Sequence, residues 1–259
     1  MLRLARISCL VVGMLAVGIW LGTSGDSTTA ADAPGSGIPI DTTDFNKILE
    51  REVSIIQDAL KGNPNKAALS KARTQAVMIA AYARYTQGPD AELRATLCDA
   101  ALKLADTIRA GKLDDARQQA AALTTLKANA AAKFPTGSLM KASKSDISDV
   151  MHQFAFTSAG GLGIDGTLKK MTAIKGELPG DLLNDDLIWM AYQSAVTGEL
   201  IKGYDPEESQ KLWMENAEAM RQLGIELVGT TKRKEGGAAH SVVYKLTIAC
   251  SRCHQKFRD

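Results

Sequence analysis

Cys250, Cys253 and His254 stand in a Cys-Ser-Arg-Cys-His run at the end of a 259-residue chain. Two thiols one helical turn apart can add to the two vinyl groups of a haem, and the imidazole that follows is then placed to bind the iron. The spacing therefore reads as covalent attachment of one haem c. Two other chemistries use the same residue types. One is a disulfide between Cys250 and Cys253, a redox device normally set at the start of a helix in a βαβ context that this chain does not show. The other is a zinc site, which needs a fourth ligand, and His240 is the only nearby residue that could supply it.

The motif has to be carried by a helix. Leu246, Cys250, Cys253 and Phe257 recur at i, i+4, i+7 and i+11, so both thiols share a face with two apolar residues, in a helix expected over 241–258. His254 is rotated about 100° from Cys253 around that helix, which suits an iron ligand beside a porphyrin tethered at the thiols.

The other end of the chain points to export. Arg3 and Arg6 precede an apolar run from Ile7 to Leu21, followed by small residues up to Ala30, Ala31 and Ala33. This is the pattern of a cleaved signal peptide over 1–31, and the run is short of the roughly 20 apolar residues of a membrane span. A periplasmic location is expected, which is where haem attachment takes place. Cleavage discards Cys9 and changes the formal charge from +2 to +1. No basic footprint for nucleic acid remains. Once Cys250 and Cys253 are committed to haem, only Cys98 is left, and its helical neighbours Leu97, Ala101 and Leu102 point to burial as a small hydrophobe. An exposed Cys98 would instead allow a homodimer.

Between the two ends the periodicity is helical, and the fold class is all-α. Four amphipathic helices are expected at about 42–60, 66–85, 90–110 and 113–127, the first capped by Thr42 or Thr43. Short turns between them suggest an antiparallel, haem-free bundle over 32–127. The stretch around Phe134-Pro135-Thr136-Gly137 breaks the pattern, so 128–143 reads as a linker. The second half, 144–259, again counts four. A helix starting at Ser145 runs into Gly160-Gly161-Leu162-Gly163, and helices follow at about 184–202, 206–228 and 241–258, with a short helical stretch at 167–172. A weak internal duplication matches 76–85 with 190–198.

The ending Cys-Ser-Arg-Cys-His-Gln-Lys-Phe-Arg, residues 250–258, at the end of a four-helix half resembles that of cytochrome c-prime and the related low-spin class II cytochromes c. The resemblance covers roughly 144–259. It implies a four-helix antiparallel bundle with haem wedged between helices, His254 as proximal ligand and Arg258 beside the proximal face. It also implies that the distal residue comes from the first helix of that bundle, where Met151 shares a stripe with Ile147, Val150 and Phe154. A Met ligand goes with electron transfer to a redox partner protein; a five-coordinate iron goes with binding of nitric oxide or carbon monoxide. The glycine-rich stretch 160–166 departs from the family pattern and unsettles the distal position.

Several residues carry a second reading. His152 is a distal ligand, a donor to bound gas or a surface imidazole, and Met171 is a weaker distal residue than Met151. The chain is read as non-enzymatic; peroxidase-like chemistry with His152 as acid and base is the enzymatic alternative, with no Arg nearby to assist it. Trp189 and Trp213 are expected to wall the core or the haem pocket. Lys232, Arg233 and Lys234 read as a solvated loop or as a patch that steers an acidic partner.

Overall fold

The computed structural model describes residues 37–257. Residues 1–31, the segment read as a signal peptide, and Arg258 lie outside the described residues. Those that are described belong to one compact unit, all-α, whose only strand-like contact is an isolated parallel bridge between Ile38 and Thr86.

The first half follows its sequence pattern closely. Helix α1 spans Thr42–Ala59, α2 Lys66–Tyr85, α3 Ala91–Arg109 and α4 Leu113–Ala122. Each of the first three starts on a side chain that accepts from its first turn. Asp41 accepts from the Asp44 amide at 2.8 Å, Asn65 from Ala68 at 2.9 Å, and Asp90 from Glu92 and Leu93. The α1 cap is thus Asp41, not the expected Thr42 or Thr43: an ionised oxygen at the positive end of the helix outcompetes a hydroxyl. A 3₁₀ turn over Leu123–Thr125 closes α4.

The expected linker is firmly held. Leu126 and Phe134 pack against the core, Arg84 donates to the Pro135 carbonyl at 2.7 Å, and the last part coils into α5, Leu139–Ser143, with Leu139 and Met140 buried. It joins two halves that share one core. Arg51 pairs with Asp186 at 2.6 Å, Lys47 with Asp185 at 2.8 Å, and Asp149 takes both Arg73 and Ser70.

In the second half α6 is only Ile147–His152, much shorter than the helix read up to Gly160. Its chain turns back at 153–163, where Gly161 lies so close to the backbone that a Cβ would stand 2.7 Å from the His152 carbonyl oxygen. Only glycine fits there. Helix α7, Ile164–Thr172, follows, then α8 (Asp185–Ile201), α9 (Gln210–Lys232) and α10 (Gly236–Phe257). Helix α9 starts four residues later than expected from Pro206. It also absorbs much of the loop expected over 230–237, leaving a tight turn in which Lys234 adopts a φ of 58°.

Helix α8 is buried on nearly every face, as its apolar sequence requires. It packs against α2 on one side and α9 on another. At Gly198 a Cβ would meet the Ala217 carbonyl oxygen and the Arg221 amide at 2.6 Å, so α8 and α9 touch backbone to backbone. Helix α10 in turn packs on α9 and α7, and these three helices position the Cys-x-x-Cys-His run.

Candidate functional site

The motif lies in the last two turns of α10. The buried stripe Ala239, Val242, Val243 and Leu246 continues into Cys250, Cys253 and Phe257, which pack against the core from its edge. Both thiols are free and half-buried. Burial pushes the Cys250 thiol up to about 12, with the Asp165 carboxylate and Cys253 adding to the shift and Lys169 opposing it. Burial alone raises Cys253. Both therefore stay protonated at neutral pH, the opposite of the depressed thiolate that makes a Cys-x-x-Cys pair a redox device.

Helix α7 crosses this face. Asp165 and Lys169, an ion pair at 2.8 Å, are the charges that Cys250 feels. The Leu178 amide donates to the Gly236 carbonyl at 3.2 Å, so the chain after α7 reaches the start of α10 and the two helices run antiparallel. On the α9 side, Phe257 meets Trp213 edge to face at 5.1 Å, and Trp213 meets Tyr204 at 5.2 Å while donating to the Ile201 carbonyl at 2.9 Å. The aromatic trio anchors the end of the helix. His254 is half-buried one position beyond Cys253.

The zinc alternative fails on distance. His240 belongs to the same helix, ten residues before Cys250, which puts it roughly 15 Å away along the axis. Among the described residues no group of three or more His, Cys, Asp or Glu is arranged to hold a metal ion. Two protonated, unpaired thiols one turn apart and an imidazole beside them do fit the donor set of a covalently held haem: Cys250 and Cys253 for the thioethers, His254 for the iron.

The expected distal residues Met151 and His152 lie on α6. Met151 is half-buried on α6, and the polar bonds of that segment go to α2 and α8. Asp149 bonds Ser70 and Arg73, and Gln153 donates to Thr197 at 3.0 Å. Of the two helices that pack against α10, α7 carries Met171, 6% exposed and six residues past Asp165, roughly 9 Å further along the helix, and α9 carries Met214 and Met220. His152 is exposed, and its Nε2 is 2.8 Å from the Ala159 carbonyl oxygen, a bond that ties down the 153–163 turn.

Other sequence expectations are sorted by the fold. Trp213 borders the motif through Phe257, whereas Trp189 is buried in the core and faces α1. Cys98 is fully buried, so no disulfide through it can make a homodimer. Lys232 pairs with Asp41 and Asp44, Arg233 with Glu235, and Lys234 donates to the Leu183 carbonyl, so the basic run is engaged within the molecule. Asp165 and Lys169 escaped sequence reading: their i, i+4 spacing marks a shared face, but nothing in it says that α10 lies opposite. The chain matches no protein-family model, no curated protein and no solved structure.

Proposed function

We propose that this chain is an exported c-type cytochrome that carries one covalently bound haem on α10 and transfers electrons. The observation that carries this reading is the pair of free, protonated thiols at Cys250 and Cys253 on one face of one helix, with His254 next in line. A bound haem supplies a one-electron iron centre. Cys250 and Cys253 hold it, His254 ligates the iron, the Trp213–Phe257 contact fixes the helix that bears all three, and α7 limits access of water from the Cys250 side. The resemblance of 250–258 to class II cytochromes c supports the same assignment and puts Arg258 beside the proximal face. Under this reading the half over 144–259 is the haem-carrying bundle, the half over 32–127 supports it without haem, and 1–31 directs the chain to the periplasm.

A second reading, a five-coordinate haem that binds nitric oxide or carbon monoxide, is favoured by one specific observation. Met151 sits on a helix whose bonds go to α2 and α8, while the thiol face is crossed by α7. Absorption spectra of the chain produced with haem-attachment machinery separate the two. A sulfur-to-iron charge-transfer band in the ferric protein, lost in Met151→Leu, marks a Met ligand and electron transfer. Rapid and complete carbon monoxide binding to the ferrous protein, unchanged in Met151→Leu, marks the open position.

A further inference from the structure

Glu52 of α1 is 0% exposed, inside the seam where α1, α2 and α8 meet. Its Oε1 accepts from the Trp189 indole at 2.8 Å and from the Gln193 side-chain amide. Its Oε2 has no partner, and neither does Gln193 Oε1. No ion pair reaches the carboxyl. Arg51, its neighbour on α1, pairs with Asp186 and lies 3.8 Å over the Trp189 ring; Lys71 on α2 acts only through space. The other titratable groups are Tyr82 of α2, whose buried hydroxyl is also unpartnered, and Tyr192 of α8 beyond it.

The two orphaned oxygens belong to the two groups already joined by one hydrogen bond. An ionised carboxylate beside an amide can use only the amide N–H, which leaves both of these buried acceptors without a donor, a costly arrangement. A proton on Oε2 resolves both deficits at once. The acid O–H donates to Gln193 Oε1 while Gln193 Nε2 donates to Glu52 Oε1, a closed eight-membered acid–amide ring. We infer that Glu52 is a buried proton-binding site, un-ionised in the ring it forms with Gln193, and that this ring is a pH-sensitive latch between the first and second halves of the chain.

Burial independently pushes the Glu52 carboxyl from 4.5 up to about 7, with the Trp189 bond, Arg51 and Lys71 opposing. The sign of the pH effect follows. The unfolded chain releases this proton above 4.5 and the folded chain holds it to about 7, so this group lowers stability progressively as pH rises between the two values and no further above them. From pH 5 to pH 8 the folding equilibrium constant should fall by roughly 50-fold on this account alone.

Glu52→Gln mimics the protonated state, since its amide can donate to Gln193 Oε1 at every pH. The experiment is denaturant unfolding of the full chain and of E52Q at intervals from pH 5 to pH 8, with infrared spectra of the wild type over the same range. The inference requires the wild type to lose folding equilibrium constant by at least tenfold relative to E52Q across the range, and a band of un-ionised carboxyl at pH 6 that fades above pH 7. Parallel stability curves, or no such band at pH 6, overturn it. The infrared titration needs no variant, so a poorly folding E52Q leaves the test intact.

Discussion

The α1–α8 seam around Glu52 and the α7–α10 face around Cys250 both shield titratable groups from water, and they differ in what completes them. In the α1–α8 seam two of the polar atoms that lack partners, Glu52 Oε2 and Gln193 Oε1, belong to side chains already joined by a hydrogen bond, so one proton can serve both. At the α7–α10 face the thiols of Cys250 and Cys253 are shielded and raised in pKa, yet no disulfide uses them. The first site completes itself and holds the fold together. Under the proposed function the second is completed by a haem.

That contrast can be strained from either side. The largest effect should come from Gly198→Leu, on the face of α8 that points away from the seam, which forces a side chain into the Ala217 and Arg221 backbone where α8 meets α9. A loss of about 3 kcal/mol or more in denaturant unfolding is expected; a loss under 1 kcal/mol would mean that the helices separate easily. Trp189→Phe removes the indole donor to Glu52 while keeping most of the ring under Arg51. It should cost about 1–3 kcal/mol, because the carboxyl is left with one donor fewer in a dry site.

On the site side, Phe257→Leu removes the edge-to-face contact with Trp213. A cost of about 1 kcal/mol is expected, seen in unfolding followed by Trp fluorescence. Asp165→Asn should have the smallest effect. It removes the carboxylate that helps to raise Cys250, so the thiol pKa falls and alkylation of the haem-free chain at pH 9 speeds up by a few-fold, with Cys253 hardly changed. Equal acceleration at both thiols would mean that α7 loosens rather than that a charge is lost.

Most of the first half was legible in the sequence because α1, α2 and α3 each have an apolar stripe, a side-chain cap and a glycine or proline stop close together, whereas α4, with no side-chain cap, ends at Ala122, short of the expected 127. Asn65 and Asp90 begin helices whose ends fall within a residue or two of the pattern. The second half was less so. The α6 stripe Ile147, Val150, Met151 and Phe154 is helical in spacing, but Phe154 belongs to a turn stabilised by the fold-back of Gly161, a tertiary approach that periodicity cannot report. The late start of α9 has the same character. The motif named the residues of the candidate site, and helix spacing put the two thiols on one face. What opposes them was hidden, because Asp165, Lys169 and Met171 reach α10 only through the packing of α7. Glu52 was invisible for the converse reason: in sequence it is one more charge on an exposed-looking helix, and only α8 closing over it makes it a buried acid.

The most direct measurement is the intact mass, with a haem stain on a denaturing gel, of the chain produced with haem-attachment machinery, beside a Cys250→Ser, Cys253→Ser double variant. The expected result is a wild type that carries the mass of one haem through denaturation and a double variant that carries none while keeping its helical circular dichroism. A wild-type chain of unmodified mass, under conditions where a control cytochrome is loaded, would contradict the assignment of Cys250, Cys253 and His254 as a haem site.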